Sequence, residues 1–154
     1  MEYRHTPVLL AEVTQHLSLQ AGSIVVDCTL GGAGHARQIQ DSIGPTGILV
    51  GIDQDDAALD AARATLRLGR QTILLKGNFA DLDELLLQAR VPYADAFLFD
   101  LGVSSPQLDV PKRGFAYQVD SPLDMRMDPA RRTPTAADIV ATYTEEELTI
   151  DLDT

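Results

Sequence analysis

The chain has 154 residues, of which 45% are hydrophobic and 23% charged, with a net charge of −11 and a pI near 4.4. These values fit one ordinary globular domain, exclude a largely disordered chain, and weigh on average against a nucleic-acid partner. A single cysteine, Cys28, excludes an internal disulfide, while the lack of a signal-like N-terminus or a membrane-length apolar run predicts a cytoplasmic protein without membrane association.

Thr6 as N-cap and Pro7 at the first helical position predict a helix over 8–19. "SIVVDCT" (23–29) reads as a short buried strand that runs into glycines, and 35–44 as a helix stopped by Gly44. A second strand follows at 47–53, then a helix over 55–69 with an apolar stripe and a terminal glycine. A third strand is expected at 72–78, a fourth helix at 81–91 and a fourth strand at 95–103. Strands alternating with helices of about ten residues give βαβ units, hence an α/β fold with a mostly parallel sheet and helices on both faces. Beyond Val103 the pattern gives way to Pro-, Asp- and Arg-rich loops, with one more helix over 135–148 capped by Thr135. The expected organisation is a ligand-binding domain over 1–110 and a basic loop with the start of a helical insertion over 111–154.

The stretch "DCTLGGAGHA" (27–36) lets the backbone approach a ligand closely. A P-loop would need a lysine, and none lies between 27 and 75; the dinucleotide pattern G-x-G-x-x-G is matched only in part. Asp53, at the end of the second strand, can accept hydrogen bonds from both ribose hydroxyls, or simply cap the next helix. Phe79 can stack on an adenine or belong to the core. Asp27, Asp53 and Asp100 end strands one, two and four. Carboxylates there suit a ligand with a ribose and positive charge better than a polyphosphate, which points to S-adenosylmethionine. A nicotinamide-dependent oxidoreductase is the rival reading. His5, His16 and His35 show no metal-ligand spacing, so no metal is expected.

"GGAGH", "GID", "NF", "DLGVSSPQLD", "RGF" and "PLDMRMDP" together resemble the MraW/RsmH family, over about residues 3–148. The resemblance implies a Rossmann-like, class I methyltransferase fold. It also implies S-adenosylmethionine-dependent methylation of the N4 amine of a cytidine in 16S ribosomal RNA, with that RNA or the small ribosomal subunit as partner. Carried over residue by residue, the cofactor contacts fall on Ala33, Gly34, His35, Asp53, Phe79, Asp100 and Gln107. The amine's lone pair is delocalised into the cytosine ring, and acceptors for its N–H bonds can free it. Asp100, Ser104 and Ser105 are the candidate catalytic residues, although Ser-Pro also makes an ordinary turn.

Between 111 and 132, five cationic side chains stand against three aspartates, so a locally positive segment sits in an acidic chain. It is expected to grip RNA phosphates, with Lys112, Arg113 and Arg126 as contacts, or else to pair with its own aspartates. Family members continue for about as far again, so the chain reads as the first part of a longer, truncated fold. That leaves a cofactor-binding fragment without activity as an alternative. An open sheet edge must be covered, and a homodimer is one way to cover it.

Overall fold

The computed structural model describes residues 7–153, with their side chains except those of 105–106 and 150–153. The chain forms two compact units, Met1–Gly102 and Val103–Thr154. In the first, α1 (Leu10–Leu17), β1 (Ile24–Asp27), α2 (Gly34–Ile43), β2 (Ile48–Asp53), α3 (Asp56–Thr65), β3 (Thr72–Lys76), α4 (Leu82–Ala89) and β4 (Ala96–Leu98) follow one another. The four strands are all parallel, in the order β3-β2-β1-β4. Apolar runs on β1 and β2 suit strands covered on both faces. Val25 and Leu49 pack against Ala36, Ile39 and Ile43 of α2 and Leu59 and Ala62 of α3, with Val13 and Leu17 of α1 alongside. Val26, Val50 and Ile52 face the other way, against Leu85 of α4 and Val91.

The strand order places the site. Successive strands move outward from β1 to β3, and the chain then returns to put β4 on the other side of β1. At such a reversal the connections leave in opposite directions, so a crevice opens beyond the carboxyl ends of β1 and β4. Asp27 ends β1, in register with Leu98 of β4 and Gly51 of β2.

Several expected boundaries move for identifiable reasons. The first helix begins at Leu10 rather than after Thr6, which lies outside the described residues. Pro7 is engaged with Gly34, Val8 gives its carbonyl to His35, and Leu9 turns left-handed at φ 52°. The helix expected to reach Gly69 ends at Thr65, because the Gln40 amide takes both the N–H and the C=O of Arg67. The strand expected to reach 103 ends at Leu98, and the Asp100 N–H donates instead to the Thr29 hydroxyl at 2.7 Å.

In the second unit, α5 spans Ser105–Asp109 where only a loop was expected. The helix expected over 135–148 is two: α6 (Ala136–Thr142) and α7 (Glu145–Asp153). Thr135 caps α6 in a reciprocal box with Asp138, and Thr144 makes the same exchange with Glu147. No helix among the described residues is long and apolar enough to cross a membrane.

Candidate functional site

Asp27, at the carboxyl end of β1, is 1% exposed. Its Oδ1 accepts the Thr29 N–H at 3.1 Å, while Oδ2 is buried without a hydrogen-bond partner. Loss of water around the carboxylate, with smaller contributions from Asp53 and Asp100 and against the Thr29 hydrogen bond, pushes its pKa from 3.8 to about 7. A buried acceptor left unmet is costly, and such groups cluster where a ligand supplies the missing partner.

Asp53 fastens the glycine turn to β2. Its Oδ2 accepts the Gly31 N–H at 2.8 Å and its Oδ1 the Asp55 N–H at 2.9 Å. Burial raises its pKa, opposed by these backbone hydrogen bonds. The capping role belongs to Asp55, whose Oδ1 accepts the Ala57 N–H at the start of α3. The Gln54 N–H adds a third backbone hydrogen bond to this carboxylate.

The turn is tight: Gly31 and Ala33 have φ 48° and 60°, and Ala33 N–H closes onto Leu30 C=O at 2.8 Å. A Cβ on Gly34 would run into the Pro7 ring. The missing side chain there therefore serves packing against the N-terminal segment, and what Gly34 offers a ligand is its backbone N–H at the start of α2. His35 is buried, with Nε2 3.0 Å from the Val8 carbonyl oxygen. A carbonyl only accepts, so Nε2 carries the proton and Nδ1 faces Asp100 Oδ2, 3.8 Å away.

Phe79 follows Asn78, whose side chain caps a short 3-10 turn by accepting the Ala80 N–H. Its ring is 37% exposed and meets Phe99 edge-on, with centroids 5.7 Å apart. Phe99 was missed in the sequence because it reads as the next apolar residue of a strand. Leaving the sheet after Leu98 puts it at the strand ends instead. Ala33, Gly34, His35, Asp53, Phe79 and Asp100 thus all lie in the first unit at the carboxyl ends of the strands or on the turns that leave them.

The remaining candidates lie in the second unit. Gln107 is buried; its Oε1 accepts the Ser104 N–H at 2.8 Å and its Nε2 donates to Met127 Sδ at 3.1 Å. Ser104 is half-buried, and the Ser105 side chain lies outside those described. Two of the three expected RNA contacts have work inside the unit. Arg126 holds Asp124 through two hydrogen bonds of 2.8 and 2.7 Å, and this pairing pulls the Asp124 pKa down to about 2. Arg113 donates to the carbonyl oxygens of Arg126 and Met127. Lys112 is exposed, as are Arg131 and Arg132.

A cavity of about 420 Å³ opens at the other end of the sheet, lined by Gln40, Asp41, Gly44, Leu49, Arg67 and Thr72 among others. The Gln40 amide there is met by Arg67 and Thr72.

The MraW methylase family matches residues 2–152. Ribosomal RNA small subunit methyltransferase H of Geotalea daltonii is 49% identical over 148 residues, covering 96% of this chain and 47% of that protein. The protein of the same name from Paenibacillus sp. is 49% identical over 154 residues, covering 95% and 48%. That from Mycoplasma mycoides is 44% identical over 146 residues, covering 94% and 47%. The chain spans about half the length of the curated relatives it matches.

Proposed function

The chain belongs to the MraW methylase family, and from that premise we propose that it forms the cofactor-binding part of an S-adenosylmethionine-dependent methyltransferase. Its substrate is small-subunit ribosomal RNA, and the acceptor is the N4 amine of a cytidine. The observation that carries this reading is the buried, unpartnered Oδ2 of Asp27, grouped with Asp53 and Asp100. A dinucleotide's pyrophosphate would add negative charge to three carboxylates. S-adenosylmethionine instead brings a sulfonium and an ammonium, and a ribose with two hydroxyl donors.

The residues fit that molecule. Asp27 has an unmet acceptor for a cationic group, Asp53 presents its carboxylate to ribose hydroxyls, and the half-exposed rings of Phe79 and Phe99 suit an adenine. Backbone N–H groups at the start of α2 suit a carboxylate. The cofactor supplies an electrophilic methyl group on positively charged sulfur. The protein aligns the acceptor and excludes water. Asp100 accepts an N–H bond of the target amine, drawing its lone pair out of conjugation, and takes the proton the nitrogen sheds. His35, fixed on Val8, stands with Nδ1 3.8 Å from Asp100 Oδ2.

The test is incubation with methyl-labelled cofactor and small ribosomal subunits, followed by digestion of the RNA to nucleosides. Label in N4-methylcytidine is expected. Label in another nucleoside overturns the assignment of the acceptor. Cofactor binding with no label in RNA leaves the chain as a binding unit without turnover.

A further inference from the structure

The second unit contains a loop built to hold one aromatic ring in water. Gly114 adopts φ +77°, and a Cβ there would meet the Pro122 carbonyl oxygen and stand 2.6 Å from the Asp124 nitrogen. The Met125 N–H donates to the Arg113 carbonyl at 3.0 Å. The Arg113 guanidinium reaches across to the carbonyl oxygens of Arg126 and Met127 at 3.2 and 2.9 Å. Residues 113–114 and 122–127 are thereby fastened together, and 115–121 must leave and return as a closed loop. Phe115 stays half-buried, with the Arg113 guanidinium 6.0 Å from its ring centre.

Tyr117 stands out from that pinned base. It is 93% exposed, the most exposed of the large hydrophobic side chains described, and Val119 beside it is 49% exposed. The Tyr117 hydroxyl accepts a hydrogen bond from Gln118 Nε2 at 3.2 Å. Leaving an aromatic face in water forfeits the stabilisation its burial would give. Exposed cations accompany it: Lys112 at the foot of the loop and Arg131 and Arg132 shortly after its second stem. Between 111 and 132 five cationic side chains stand against three aspartates, in a chain of net charge −11.

We infer that Tyr117 is a stacking platform for an unpaired base of single-stranded RNA, with Lys112, Arg131 and Arg132 holding the flanking phosphates. A flat ring accepts the face of any base, and adjoining cations follow the backbone. The inference rests on the reading of the chain as an RNA methyltransferase and adds to it a contact with RNA that is independent of cofactor.

The test is fluorescence anisotropy of a short, labelled, cytidine-containing single-stranded oligoribonucleotide with the whole chain. Tyr117→Ala is expected to weaken binding by roughly tenfold to a hundredfold, the range one stacked base supports. Tyr117→Phe keeps the ring and is expected to keep the affinity. Neither change alters the salt dependence, because stacking releases no counterions, whereas Lys112→Glu lowers it. Urea midpoints equal to that of the unaltered protein show that each variant is folded. Unchanged affinity in Tyr117→Ala, or an equal loss in Tyr117→Phe, overturns the stacking role while leaving the RNA reading in place. Failure of the unaltered chain to bind the oligonucleotide overturns both.

Discussion

Replacing Asp27 by asparagine tests the electrostatics of the crevice without changing its shape. Burial pushes the native carboxyl up from its ordinary 3.8 to about 7. At about 1.4 kcal/mol per unit, the charged form destabilises the empty site by roughly 4 kcal/mol. The raised value fixes the sign. Between pH 4 and 7 the folded protein holds a proton that the unfolded chain has released. Stability therefore falls by about 1.4 kcal/mol per pH unit through that window and levels off above about 7. Asparagine keeps the acceptor used by Thr29 and cannot ionise. Urea unfolding followed by circular dichroism at several pH values, in both proteins, cancels the contributions of every other titrating group. The two are expected to be similar near pH 4, with Asp27→Asn more stable by several kcal/mol at pH 8. Parallel pH profiles would refute the reasoning, because they would mean that Asp27 is not held protonated by its surroundings.

Gly34→Ala is expected to destabilise by about 1–3 kcal/mol in urea, since its Cβ meets the Pro7 ring; an unchanged midpoint would show that the N-terminal segment moves aside freely. Asp53→Ala leaves the Gly31 and Asp55 N–H groups without their acceptor and is expected to cost about 1–3 kcal/mol in both stability and S-adenosylmethionine affinity. Unaltered affinity in calorimetry would remove Asp53 from the ribose site. Charge reversal at Lys112, Arg131 and Arg132 is expected to lower the slope of log affinity for RNA against log salt by roughly 0.7–0.9 per phosphate contact. Arg113 is left intact because it fastens the loop, and an intact slope would assign the three cations to solvent. β4 is an edge of the sheet and Phe97 on it is 41% exposed, so pairing of two copies along β4 predicts sedimentation that rises with concentration. A single monomeric species throughout would contradict it.

The sheet was legible because its strands are short apolar runs, each followed by turn-forming residues, and the helices between them carry apolar stripes. Asp27 and Asp53 were legible for the same reason: finding where a run stops also finds what stands there. What escaped were partners distant in sequence. Gln40 ends α3 from 27 residues away by capturing the backbone of Arg67, and nothing local to 55–69 announces it. Pro7 reads as a helix start, yet its ring is spent on Gly34. Phe99 looks like strand interior until Asp100 hands its N–H to Thr29 and ends the ladder. Arg126 pairs with Asp124, the alternative its neighbouring aspartates offered, whereas the carbonyl oxygens that Arg113 takes at 126 and 127 had no local signal. The break between α6 and α7 did have a local signal, since Thr144 and Glu147 repeat the cap spacing of Thr135 and Asp138.

The central claim is that the three strand-end carboxylates take a cationic nucleoside, and calorimetric titration with S-adenosylmethionine at pH 6 in buffers of different ionisation enthalpy tests it most directly. Asp27 is protonated in the empty protein at that pH and must ionise to meet a cation. Saturable binding that releases close to one proton is expected, together with weaker binding and no release in Asp27→Asn, and no comparable affinity for NAD. Binding without proton release, or binding of NAD as tight as that of S-adenosylmethionine, would contradict the account.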